Sequence, residues 1–364
     1  MTPLRTTRHL WLAIAGGLGI MIVIGLMAFQ ILGRGSDTPI PPSPPPVAEA
    51  ATEGPPPPAA LVRQIRALGR SFDGRVGIVV RSISDGWSAS FGGAGIFPQQ
   101  SVSKLWVASA VLDQVDAGKM ALNDPVTLTQ RDLTIFHQPI RKRIGTGSYT
   151  TTIAELLSFA MTQSDNTAND VLFRRVGGQA GLQAFLVNKN LGEIAMGPGE
   201  KALQAQTAAL TWDDRFSYGR TFWQVRESVP LRTRARALTT YVIDPPDGAT
   251  PVGIARALAR IKGGGLLSPA STAYLLTLMA QSKTGPDRLK GGLIDGWTMA
   301  HKTGTGQVLG TFATAYNDVG ILSSPVGKDY AIVVMIGSTR RPVPERQALM
   351  GAVTRAVIAC GAGC

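Results

Sequence analysis

Three short patterns in this chain of 364 residues place reactive side chains at spacings that could support acyl chemistry. In QQSVSKLWVASAVLDQVDAG, residues 99 to 118, Ser101 and Lys104 lie three apart. On a helix that spacing puts both side chains on one face, with Cβ atoms about 5–6 Å apart. A serine hydroxyl is a poor nucleophile until a base takes its proton, and a partly desolvated lysine can be that base. Backbone N–H groups at a helix start can in turn stabilise an oxyanion. An N-cap serine followed by a solvated lysine produces the same letters, so this pattern alone decides nothing. The second pattern, Ser164-Asp165-Asn166, reads by itself as a break between two helical stretches, the first opened by a capping box from Thr152 to Glu155. The third, Lys302-Thr303-Gly304 in HKTGTG, falls at the end of a strand, where glycine allows a close backbone approach to a ligand.

The elements that must carry these residues follow from periodicity. Leu105, Ala108, Leu112 and Val115 recur at helical spacing, and Gly118 is a natural stop, so a helix with a core-facing stripe is expected from Ser101. RVGIVVRSISDGWSASFGG, residues 75 to 93, reads as two β-branched strands around an Asp85-Gly86 turn. A long helical region is expected from about 101 to 262. After it come three strands, in WTMAHKTGTG, TFATAYNDVGIL and DYAIVVMIG, and a closing helix in PERQALMGAVTRAVIAC. Strands at both ends with helices between them predict an α+β fold: one antiparallel sheet built from both termini of the domain, flanked by helices, plus an inserted all-helical lobe.

Composition narrows the function classes. The net charge of +12 could suit nucleic acid, but no zinc-finger, RNP-type or helix-turn-helix signature is present, and a basic exterior facing an anionic envelope and anionic substrates is the expectation. His9, His137 and His301 sit in no nucleophile–base motif, and no zinc-ligand spacing occurs, so no metal or other cofactor is expected. Residues 1–9 carry Arg5 and Arg8. Residues 10–32 form an apolar run reaching the roughly 20 residues that span a bilayer. FQILGRG lacks a small-x-small cleavage site, so the run is read as an uncleaved, single-pass anchor in a bacterial inner membrane, with the remainder exported. Residues 33–60, with PIPPSPPP and GPPPP, read as a polyproline spacer of about 3.1 Å per residue. Residues 61–364 are then the globular domain. Cys360 and Cys364, in the terminal CGAGC, are read as tail residues outside the chemistry.

Serine-x-x-lysine, SDN and KTG occur here in that order within one globular stretch, and at these residues the chain resembles the serine β-lactamase and penicillin-binding protein superfamily, class A β-lactamases most of all. FPQQSVSK, VDAGKMALNDPVTLTQRDL, SDNTANDVLF, GGQAGLQAFL and TGPDRLKGGL also look like their counterparts in that family, and the likeness runs from about residue 75 to 358. The resemblance implies a cleft between an α/β lobe and a helical lobe, and a monomer that takes a small β-lactam or a peptidoglycan stem peptide. It implies Ser101 as the acylated nucleophile, Lys104 as its hydrogen-bonded partner and one of two candidates, with Glu200, for the base that takes the first proton, and Ser164 as the relay of a proton to the leaving nitrogen. Asn166 would hold the substrate's side-chain amide, Lys302, Thr303 and the adjoining Gly304 would bind its carboxylate end, and the N–H groups of Ser101 and Thr305 would form the oxyanion hole. In GEKALQ, Glu200 matches the deacylation base of an E-x-x-L-N loop. Gln204 stands where the family has asparagine and would orient the water. Two further departures are a longer segment at 207–251, whose aromatic residues are expected mainly to pack, and Phe136 where a tyrosine is common beside the substrate. Two alternatives stay open: a D-Ala-D-Ala peptidase or transpeptidase acting on peptidoglycan, and a non-catalytic envelope-binding module.

Overall fold

The structure is a computed structural model and describes residues 54–361. The apolar run 10–32 and Cys364 lie outside the described residues. Ten strands form: β1 Gly74–Ser82, β2 Ser88–Phe91, β3 Phe97–Pro98, β4 Pro125–Thr129, β5 Ser148–Thr152, β6 Gly248–Ala249, β7 Thr298–Thr305, β8 Val308–Leu309, β9 Phe312–Ser323 and β10 Asp329–Thr339. The main sheet is antiparallel in the order β2-β1-β10-β9-β7, with β8 paired to β9. Its central strands are buried almost throughout, which is why DYAIVVMIG reads as a continuous apolar run and not as an alternating one. Alternate residues nevertheless serve different cores. Ile332, Val334 and Ile336 pack with Leu61, Ile65, Met350 and Val353, whereas Val333 and Met335 pack with the helical lobe.

The helices are α1 Ala59–Ser71, α2 Lys104–Asp116, α3 Arg141–Ile144, α4 Ile153–Thr162, α5 Asn166–Arg175, α6 Gly178–Asn188, α7 Glu200–Thr207, α8 Thr221–Ser228, α9 Leu231–Ile243, α10 Pro251–Lys262, α11 Pro269–Ala280 and α12 Val343–Gly361. Helices α1 and α12 cover one face of the sheet, and α10 covers the other. The α+β architecture and the two-strand start match the expectation from sequence.

The structure departs from the sequence reading in four places. Helix α1 begins at Ala59, inside the stretch read as spacer, because Leu61 and Ile65 find a core to enter. Ser101 lies in a 3-10 turn, Gln100–Ser103, and the α-helix starts only at Lys104. The stripe of Leu105, Ala108 and Leu112 is core as expected, but the other faces of α2 are buried too from Lys104 to Leu112, in a central helix packed against α4, α5 and α11. The region read as helical also contains the antiparallel β4–β5 pair and the short strand β6, which pairs with β3 just before that region. The 207–251 segment supplies α8 and α9. Phe216 and Phe222 are buried with Ile135 and Ala208 in a separate apolar cluster, whereas Tyr218 and Trp223 stay 36% and 39% exposed.

Candidate active site

The 3-10 turn sets Ser101 one turn before Lys104, and the ammonium of Lys104 donates to Ser101 Oγ at 2.9 Å. Its other donors reach Asn166 Oδ1 at 2.8 Å and the carboxylate of Glu200, so all three N–H bonds of a completely buried lysine are used. Gln100, immediately before the serine, holds a left-handed backbone with φ 52°, and Ser164 does the same with φ 58°. Non-glycine residues in that region persist only where their surroundings over-determine them, and both sit beside the reactive groups.

Ser164 occupies the break between α4 and α5 that the sequence predicted. The Asp165 carboxylate fixes that break by accepting from the N–H groups of Ala168 and Ile140 at 2.8 and 2.6 Å. From β7, Lys302 reaches across the cleft and donates to Ser164 Oγ at 2.9 Å. Burial pushes the Lys302 ammonium well below its usual range, and the charges of Lys104 and Arg288 push the same way. An anionic group bound there would relieve that cost. Thr303 Oγ1 lies 2.7 Å from Thr284 Oγ1, and Thr305 at the strand end is exposed. The close approach that Gly304 permits is to the 3-10 turn: a Cβ there would lie 2.4 Å from the Gln99 carbonyl and 3.3 Å from Val102 N. Its small size therefore sets the distance between β7 and the turn bearing Ser101.

Glu200 opens α7. Its N–H donates to Asp170 Oδ1 at 2.8 Å, and Gly199 makes the turn with φ 92° where a Cβ would crowd that same carboxylate at 3.0 Å. One turn on, Gln204 Nε2 donates to Glu200 Oε2 at 3.3 Å and to Gln100 Oε1 at 2.8 Å, while Gln307 donates to Gln204 Oε1 at 3.1 Å. Ser101, Lys104, Asn166, Glu200 and Gln204 are thus joined in one hydrogen-bond network, Lys302 is bonded to Ser164, and Gly304 brings the end of β7 against the turn that carries Ser101.

The sequence did not disclose their supports. Arg288, in the glycine- and proline-flanked TGPDRLKGG, donates to the carbonyls of Gly304 and Asn317 and to Thr305 Oγ1, and lies 3.7 Å over the Tyr316 ring. Asp247 accepts from Gln100 N at 2.7 Å and from Tyr241 OH at 3.1 Å. Burial, aided by the Glu200 charge, raises the carboxyls of both Asp170 and Asp247 to about 6.

A raised carboxyl has a definite sign. The folded protein holds that proton more tightly than the unfolded chain between about pH 4 and 6, so this contribution to stability is lost as pH rises through that window. Asp247→Asn, which keeps an acceptor for Gln100, should therefore lose up to about 3 kcal/mol less than the native protein on going from pH 4 to 7. Urea midpoints across that range measure it, and parallel curves for the two proteins would refute it.

A sheet-and-helix cleft in which a turn-borne serine is hydrogen-bonded to a buried lysine, with a carboxylate beyond it and a second lysine facing it, defines the class of active-site serine hydrolases that work without a histidine base. The chain belongs to the β-lactamase enzyme family, whose model matches residues 60–360. The extended-spectrum β-lactamase PER-1 of Pseudomonas aeruginosa is 31% identical over 260 residues, covering 71% of this chain and 73% of that protein. A β-lactamase from Chitinophaga pinensis superposes with a TM-score of 0.69 at 28% identity, covering 83% of this chain and 99% of that one. An ancestral class A β-lactamase gives 0.67 at 28% identity, covering 82% and 99%. The fold is that of the class A enzymes, and the chain is a hydrolase of that family.

Proposed function

We propose that the protein opens the amide of β-lactams through an acyl-Ser101 intermediate and then hydrolyses that intermediate. The observation that carries this reading is the Lys104 ammonium, bonded at once to Ser101 Oγ and to Glu200. The Ser101 proton passes to this pair and ends on the Glu200 carboxylate while Lys104 remains an ammonium. Oγ attacks the lactam carbonyl, and the N–H groups of Ser101 and Thr305 take the developing oxyanion. The ring C–N bond breaks, and Ser164, bonded to Lys302, passes its hydroxyl proton to the leaving nitrogen and is reprotonated from the Glu200 carboxyl by way of Lys104, which returns Glu200 to a carboxylate. Lys302 and Thr303 hold the substrate carboxylate, with Gly304 setting their distance from the nucleophile, and Asn166 holds the side-chain amide. In the second half the Glu200 carboxylate, with its oxygen held by Gln204, takes a proton from the attacking water; the acyl C–O bond to Ser101 then breaks and that proton returns through Lys104 to Ser101 Oγ.

A penicillin-binding-type peptidase shares the first half and differs in lacking a fast second half. The carboxylate of Glu200 beside Lys104 favours hydrolysis. Intact-mass measurements on the native protein mixed with excess penicillin test both halves. A Ser101 adduct that appears and then vanishes as the drug is consumed over many turnovers is the expected result. A lasting adduct would favour the peptidase, and no adduct would end the proposal.

The same reading places the domain outside the cytoplasmic membrane, held by residues 10–32 and spaced from it by the proline-rich stretch. One observation supports export: the apolar run of residues 10–32, with Gln30 its only clearly polar member, which is long enough to span a bilayer. An envelope form whose N-terminal sequence begins after Leu32 would rule out the uncleaved anchor.

A further inference from the structure

Helix α8, part of the long 207–251 segment, is tied to both walls of the cleft. On the helical side Phe222 and Trp223 pack against Phe136, with ring centroids 5.3 and 5.4 Å away. Phe136 belongs to the cleft itself: the carbonyls on either side of it, of Ile135 and His137, accept from Asn166 Nδ2 and Asn166 N at 2.9 Å each. On the sheet side Arg226, one turn after Trp223, donates to the Val308 carbonyl at 2.9 Å, and Val308 opens β8, three residues after the Lys302–Thr305 strand end. The segment also grips the Phe136 loop from behind, since Ser217 Oγ donates to the Leu133 carbonyl at 2.8 Å.

Packing alone does not explain the two outer rings. Phe216 and Phe222 fill the apolar cluster at 6% and 1% exposure, yet Phe136 and Trp223 keep 36% and 39% of their surfaces open. Their planes meet at 50°, so together they form an angled apolar wall continuous with Asn166. Phe136 is held there with φ 64°, a left-handed backbone that a phenylalanine adopts only under constraint.

We infer that Trp223, lent by the inserted segment, completes with Phe136 a subsite for the substrate's acyl side chain, and that this subsite selects side chains ending in an aromatic ring. The inference rests on the function proposed above: a side chain whose amide is held by Asn166 runs next along Phe136 and then meets Trp223. Aromatic rings favour offset or edge-to-face partners, and two rings set at an angle can offer both.

The experiment compares kcat/KM for benzylpenicillin, whose side chain ends in a phenyl ring, with that for 6-aminopenicillanic acid, which has none. The ratio of the two should fall about fivefold to tenfold in Trp223→Ala, through KM, and Trp223→Phe should restore much of it. Trp223→Leu keeps bulk without a ring and should behave like the alanine variant. Equal losses on both substrates would make Trp223 a purely structural residue and overturn the inference, as would an unchanged ratio. A native protein that turns over neither compound would instead overturn the functional reading and the inference together.

Discussion

Glu200→Gln should leave the protein able to form the acyl-Ser101 species and unable to discharge it, so that a penicillin adduct accumulates and persists in the mass spectrum. The substitution is nearly isosteric, and a glutamine oxygen can still accept from Lys104, so folding should survive. What is lost is the proton acceptor for the hydrolytic water, a role that contributes typically 10²- to 10⁴-fold, and steady-state turnover should fall by about that factor. Acylation should suffer less, because in the variant Lys104, still 2.9 Å from Ser101 Oγ and no longer paired with a carboxylate, can take the Ser101 proton itself as a neutral amine. Rapid-quench measurement of the burst against the steady state separates the two steps. If the variant turns over at the native rate, Glu200 is only a structural partner of Lys104, and another base must be sought.

The second large effect concerns stability as much as rate. Lys104→Met removes an ammonium with no exposed surface and strands the Glu200 carboxylate, itself only 6% exposed, without its cation. Breaking one side of a buried pair costs about 3–5 kcal/mol, because an uncompensated charge remains in the interior. Acylation of Ser101 should fall at least ~10²-fold, since the amine that carries the Ser101 proton to Glu200 is gone. Removing both charges in Lys104→Met/Glu200→Leu should recover much of the lost stability while activity stays lost. Urea denaturation of the four proteins closes the cycle, and the prediction is a strongly non-additive result. Additive losses would show that the pair is not coupled, against its direct contact in the structure.

How much of this was legible beforehand depends on the range of the interaction involved. The β-branched runs, the N-cap at Thr152 and the break at Ser164 are local properties of the chain, and each appears where its residues indicate: Thr152 Oγ1 accepts from Glu155 N, and α4 ends two residues before Ser164; the return half of the capping box does not form, because the Glu155 carboxylate accepts from Tyr149 and Thr151 instead. The 3-10 turn at Ser101 was not legible. It packs against β7 at Gly304, a contact between residues some two hundred positions apart that no local pattern records. Arg288, Asp170 and Asp247 were missed for the same reason. Each is an ordinary charged residue in its own segment and gains a role only from what lies across the fold.

By itself the sequence determined which reactive side chains exist, their order, and the alternation of strands and helices that carries them, since residue type and periodicity are written along the chain. Only the tertiary structure decided that Lys104 would touch Ser101 and Glu200 together, that Lys302 would be dry enough for its ammonium to be depressed, and that Trp223 would stand open beside Phe136. Desolvation and charge proximity depend on what packs around a group from distant parts of the chain, and no local spacing encodes that environment.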